Sequence, residues 1–397
     1  MPETISPELA ALAREHSWPD DLIDAALANG VAERTLRHAM EAGLTPEKAR
    51  KLVGVEALPA GWAKLHLDWM EIPNERVRAR PGPDGLTLER INVGQYGVIP
   101  DRWMYDNDTP RGTIPANENY VAGSYSIYDK ADCWADNAAR LYEEGIQARW
   151  IPASDIDWKN ARSDDQLAEQ AMAQLCTSLS ELNYVLCQGL ARWFEEISYG
   201  YHEVKAYIAS QGFELMRHSE AFRKRALWSR EGLGVQSPGN FNREVIGEMR
   251  FQGAIASINV LAGTFLAALY RHGAALAPTE ADQKLFALCL RDIERHIEFG
   301  VEHLRYHLEQ RPEQLPRLTI LFDIAEGRWA RDFAKDLELE EALIMLLGKG
   351  DRELGLRELA VVRKSQVTTY QDALKAIGID KTVRINRLFG EWAKALR

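Results

Sequence analysis

Two short stretches, FELMRHSEAF at 213–222 and RDIERHIEFG at 291–300, carry the same set of reactive side chains: Glu214, Arg217 and His218 in the first, Asp292, Arg295 and His296 in the second. A carboxylate and a histidine four positions apart lie on one face of an α-helix. Such a pair supports three kinds of chemistry. It can ligate a metal ion, work as a carboxylate-oriented imidazole in proton transfer, or form a buried polar cross-link whose members satisfy one another. The recurrence about 78 positions later predicts two matching helices that present the four groups to a common interior.

The elements that must position them are long. Helical periodicity predicts helices near 128–149, 164–198, 201–229, 241–273 and 280–310, mostly longer than the helices of ordinary globular domains, which suits a bundle. In the second of these, Leu175, Leu179, Leu182, Leu186, Trp193 and Ile197 form one apolar stripe. In the fifth, Leu285, Cys289, Asp292, His296 and Phe299 share a face, so the carboxylate and the imidazole point where the helix otherwise points inward. Polar groups there need partners. Asn259, inside the apolar run GAIASINVLAGTFLAAL, is a buried amide that either orients a substrate or bonds a neighbouring helix. His303 and His307 also share a face, but with no fixed carboxylate beside them they read as half-exposed surface.

Around this core the chain divides into four parts: a small helical module at 1–57, a loop-rich or short-strand covering segment at 58–127, the bundle at 128–310, and C-terminal helices at 311–397. The aromatic and amide-rich stretch at 103–128 has side chains suited to covering the bundle or to a subunit contact. The formal net charge of −11, without clustered basic residues, argues against nucleic acid as a partner. No run of eighteen uncharged apolar residues and no basic leader is present, so a cytoplasmic protein with no membrane partner is expected. Cys133, Cys176, Cys187 and Cys289 are widely spaced and read as free thiols rather than a zinc knuckle or a disulfide framework.

The repeated carboxylate and Arg-His pattern resembles the D-E-x-R-H motif of the ferritin-like diiron oxygenase superfamily, in which a helical bundle holds two irons through four carboxylates and two histidines. ARLYEEGIQARWIPASDIDW at 139–158 resembles the segment that leads into the first bundle helix of some members. The resemblance spans residues 128–310. It implies that Glu214 and Asp292 match the supporting acid, while the positions of the ligating glutamates are Leu215 and Ile293. The two remaining ligand positions fall near Val185 and Leu186, and near Ala262 and Gly263, unless a shift of one turn brings in Glu181 or Glu248.

These readings converge on an all-α, ferritin-like chain in which Glu214, His218, Asp292 and His296 form a polar centre in place of a standard diiron site, bordered by Leu215, Ile293, Asn259, Leu186 and Gly263 as a substrate pocket. The expected function is enzymatic, acting on a small apolar or aromatic molecule, with no cofactor; one iron or manganese ion is the alternative. A non-catalytic partner subunit of a diiron oxygenase and a metal-dependent oxygenase with displaced ligands are the other functional readings. A homodimer is expected, with contacts from 103–128 and the C-terminal helices.

Overall fold

The computed structural model describes residues 5–28, 30–53, 78–103, 111, 125–229, 232–236, 244–381 and 384–394. The chain separates into two compact units, Met1–Glu75 and Arg76–Arg397. The first contains α1 (Pro7–Glu15), α2 (Asp20–Ala28), α3 (Glu33–Glu41) and α4 (Pro46–Val53). Ser6 caps α1 by accepting from the Leu9 N–H, and Thr45 accepts from the Lys48 N–H at the start of α4. These short helices close over their own core of Leu9, Trp18, Leu22, Leu36 and Met40.

The second unit is built on α5 (Ala138–Gln147), α6 (Gln166–Glu196), α7 (His202–Ser229), α8 (Phe251–Arg271) and α9 (Glu280–Gln310). Asp165 caps α6 and Thr279 caps α9, each with its side-chain oxygen on a first-turn N–H. Side-chain pairs fix the directions. Ser180 bonds the Ser219 carbonyl and Cys187 lies on the Gly212 carbonyl, so α6 and α7 are antiparallel. Tyr207 stacks on Phe299 while Arg225 pairs with Asp282, so α7 and α9 are antiparallel as well. The four long helices form the ferritin-like bundle, and the fold is all-α; among the described residues only isolated β-bridges occur, between 82 and 85, 102 and 129, and 127 and 197.

Helix α8 is the apolar centre of the bundle. It is long and apolar enough to cross a membrane by length and composition, and its apolar stretch is buried inside the protein, with Arg271 at its end exposed. Its middle, Ala256–Ala262, is a π-helix, and there the Asn259 amide donates to Gln211 Oε1 at 3.0 Å and to the His296 carbonyl at 2.8 Å. The helices approach closely at this level. A Cβ on Gly300 would lie 2.5 Å from the Asn259 Cβ, so α9 carries glycine where α8 crosses it.

The C-terminal helices α10 (Leu315–Phe333), α11 (Leu337–Leu347), α12 (Arg352–Ile377) and α13 (Arg387–Lys394) belong to the same compact unit. Phe265 of α8 is surrounded by Trp329, Phe333, Tyr370 and Phe389 at ring separations of 5.0–6.1 Å, and Gln366 donates to its carbonyl. Burying a phenylalanine in this way contributes about 1.5–3 kcal/mol.

Sequence periodicity placed α6, α7 and α9 closely and overextended the other two, α5 beginning at Ala138 rather than near 128 and α8 at Phe251 rather than near 241. Within 103–128, residues 104–110 and 112–124 lie outside the described residues; Arg111 is described, buried, and bonds Glu203 through both terminal nitrogens and the Gly200 carbonyl through one. His303 and His307 correct the expectation of surface histidines. They are 0% and 6% exposed, and each ring bonds a backbone carbonyl, of Trp134 and Ala131 respectively.

Candidate functional site

The antiparallel course of α7 and α9 makes the repeated motif reciprocal. His218 Nε2 lies 3.0 Å from Asp292 Oδ2, and His296 Nε2 lies 2.8 Å from Glu214 Oε2. The four residues singled out by their spacing therefore meet, each histidine on the opposite helix's carboxylate. The two arginines complete the arrangement. Arg217 Nη2 donates to Asp292 Oδ2 at 2.6 Å, and Arg295 Nη2 donates to Asp292 Oδ1 at 2.6 Å and to Glu214 Oε1. Trp150, just beyond α5, donates its indole N–H to Asp292 Oδ2 at 2.8 Å, and its ring lies under the Arg217 guanidinium at 4.9 Å.

All seven residues are buried. Two carboxylates and two guanidiniums balance, which is how ionised groups remain tolerable in a bundle core. Burial alone would raise the Asp292 carboxyl, but the hydrogen bond and charge of His218, the Arg217 guanidinium and the Trp150 indole hold it well below the usual carboxylate range. Burial opposes ionisation of Glu214 too, and is outweighed by His296 and Arg295. His296 is lowered, because burial disfavours the imidazolium more than Glu214 favours it. An ionised Asp292 accepts from His218 Nε2. Among the described residues His218 Nδ1 has no hydrogen-bond partner, and neither do Arg217 Nε, Arg295 Nε and the side-chain oxygens of Asn183 and Asn259, all buried.

The residues expected to border a pocket occupy different places. Leu215, Ile293 and Leu186 are core side chains with about 1% exposure, Asn259 is bonded to Gln211 and the His296 carbonyl, and Gly263 packs against Ile297. The described cavities lie elsewhere on the bundle. Glu181 and Glu248 do not join the centre: Glu181 accepts from Gln236, and Glu248 pairs with Arg328. Arg217 and Arg295 belong to the motif, three residues after each carboxylate on the same face, but were given no role in the centre; Trp150 is the participant that the spacing did not mark.

The fold and the crossed His/carboxylate centre define a helical bundle of the ferritin-like class. Among solved structures the chain is similar to R2-like ligand-binding oxidases. One with a Mn/Fe cofactor matches at 16% identity and a TM-score of 0.44, over 61% of this chain and 94% of that one. One with an Fe/Fe cofactor matches at 16% identity and 0.45, over 61% and 93%. One without metal matches at 15% and 0.41, over 61% and 96%. No family model and no curated protein matches the chain.

The expectation of a bundle with no cofactor stands corrected only to this extent: two of these similar structures carry a Mn/Fe or an Fe/Fe cofactor. The four-residue centre nevertheless does not fit such a pair, nor a single iron or manganese. Both carboxylates are engaged by arginines, the neighbouring positions are Leu215 and Ile293, and one open imidazole nitrogen cannot offset the charge of desolvated divalent ions. Among the described residues no group of three or more His, Cys, Asp or Glu side chains is arranged to hold a metal ion.

The centre fixes the direction of the pH response. The carboxyls of Asp292 and Glu214 lie below their ordinary values of 3.8 and 4.5, and His296 lies below 6.5. His303 is pushed by burial down to about 3. In every case the unfolded chain binds more protons than the folded one, so stability rises with pH. On acidification the histidine contributions fall away below about pH 6.5 and the carboxylate contributions below about pH 4.5. Urea midpoints measured from pH 7 to pH 4 are expected to fall throughout, and Asp292→Asn to flatten the lower part of the curve. A midpoint that increases toward pH 4 contradicts this assignment.

Proposed function

We propose that this chain is a cytoplasmic acid/base enzyme acting on a small apolar or aromatic molecule within the bundle, with His218 as the base. The observation that carries the reading is the geometry of His218: Nε2 sits on Asp292 while Nδ1 is buried and, among the described residues, unpaired. A carboxylate that fixes the imidazole tautomer and favours the imidazolium is what a general base needs. A proton taken by Nδ1 from a substrate C–H or O–H would be held by the Asp292 charge and returned to another atom of the same molecule, as in isomerisation or elimination. Four unpaired cysteines suit a reducing compartment.

The test begins with nitrogen NMR of histidine-labelled protein at pH 7. His218 Nδ1 should resonate as an unprotonated, pyridine-type nitrogen; a protonated Nδ1 removes the base. His218→Gln should then abolish turnover in a screen of small aromatic ketones and esters, with the melting temperature little changed.

A second reading, a partner subunit without catalysis, is favoured by a different observation. The carboxylates are saturated within the protein, and the outer faces of α6 and α7 expose Tyr184, Phe213 and Met216 to 48%, 56% and 42%. Exposed apolar side chains grouped in this way suit an interface. The expected assembly is a homodimer. Light scattering that gives a monomer, together with co-purification in fixed ratio with a larger ferritin-like chain, supports the partner reading over the enzyme.

A further inference from the structure

A concavity of about 280 Å³ lies where the residues before α8 meet the turn from α9 into α10. One wall is apolar, made by Trp193, Phe251 and Leu318, all buried residues whose edges line the space. The rim is cationic. Arg250 and Arg317 are exposed, and neither has an ion pair among the described residues. The base is rigid: Arg311 is held between Asp129 at 2.8 Å and Asp132 at 3.0 Å, and Gln252 donates to the Asp132 carbonyl at 2.9 Å. His307, 6% exposed, also lines the space, and its Nδ1 is fixed on the Ala131 carbonyl at 2.8 Å.

Three features select a ligand. Asp132 is the one acidic residue in a lining that carries three arginines, so the concavity is positive in a chain whose formal net charge is −11. General electrostatics of the protein would repel an anion, and the attraction is therefore local. Arg250 and Arg317 present guanidinium forks with no ion pair among the described residues, Arg317 donating only a long hydrogen bond of 3.5 Å to Gln314 Oε1, and such forks match the planar oxygens of a carboxylate or the oxygens of a phosphate. The aromatic wall opposite favours an apolar body over a bare ion. At about 30 Å³ for each water-sized group, the volume suits roughly ten non-hydrogen atoms.

We propose that this concavity binds a small organic anion, one carboxylate or phosphate carried on an aromatic ring or short apolar chain, with Arg250 and Arg317 on the anionic group and Trp193 and Phe251 against the apolar part. The site is independent of the His218 centre, and the proposal stands whether or not that centre is catalytic.

The full chain is titrated by calorimetry with benzoate, phenyl phosphate and inorganic phosphate, alongside the Arg250→Ala, Arg317→Ala double variant. Both positions are exposed, and an unchanged melting temperature confirms that the variant is folded. Saturable binding of benzoate or phenyl phosphate is expected, weakened at least about tenfold in the double variant. The preference between benzoate and phenyl phosphate identifies the anionic group. Inorganic phosphate should bind at least about tenfold more weakly than phenyl phosphate. Absence of saturable binding by every probe overturns the proposal. So does binding that the double variant leaves intact, and so does inorganic phosphate binding as tightly as phenyl phosphate, which marks simple ion pairing at surface arginines.

Discussion

Asp292→Ala is expected to destabilise the protein by about 3–5 kcal/mol, because it removes the acceptor on which four donors converge. Trp150, Arg217 and His218 share Oδ2, and Arg295 holds Oδ1. Without Asp292, two buried guanidiniums face Glu214 alone, and the charge balance of the core is lost. The loss should show as a lower urea midpoint with little change in slope. Removing the charges together is expected to be milder: Asp292→Leu combined with Arg217→Met deletes a donor with its acceptor and should cost less than Asp292→Ala alone. If Asp292→Ala proves nearly neutral, the network is not holding α7 to α9.

Arg225→Met is expected to have a comparable effect at the other end of α7. Arg225 is fully buried and donates to Asp282 through Nε at 2.5 Å and Nη2 at 3.1 Å, and to Glu169 through Nη2 at 2.8 Å and Nη1 at 3.1 Å. Its removal leaves two unpaired carboxylates in one site, at a cost of about 3–5 kcal/mol near neutral pH. The sign of the pH dependence then separates this site from a packing defect. In the variant at least one carboxyl is raised above its ordinary value, so the folded state binds more protons than the unfolded chain and acid relieves part of the damage. The difference between variant and wild type should narrow between pH 7 and pH 5. A difference that stays constant over that range attributes the loss to the missing side-chain volume.

The bundle was legible because its signals are local and periodic. Apolar stripes located α6, α7, α8 and α9, and the spacing of Glu214 to His218 and Asp292 to His296 showed that four polar groups share interior faces. The buried cross-link read from that spacing is present, each histidine on the opposite helix's carboxylate. What the spacing could not show was the part played by Arg217 and Arg295, which the motif itself contains and which share the same carboxylates. Trp150 was visible as part of a resemblance but not as a donor, since its contact with Asp292 spans 142 positions. His303 and His307 were misjudged for the same reason: their partners are backbone carbonyls of the segment before α5, and a carbonyl leaves no mark on a sequence. The π-helix of α8 likewise has no residue-type signature in an evenly apolar run.

That wide turn sets the phase of the whole C-terminal half. Each residue advances an α-helix by about 100°, so accommodating an additional residue in a turn rotates everything beyond it relative to everything before it. Within the wide turn, Asn259 reaches α7 and α9; downstream of it, Phe265 meets Trp329, Phe333, Tyr370 and Phe389. Deleting one residue from 256–262 would restore α-helical winding and swing Phe265 away from its aromatic ring of neighbours by roughly a quarter turn. The segment thus acts as a clutch in the one apolar shaft that touches both layers: the place where its winding loosens determines how its outer contacts are timed to its inner ones.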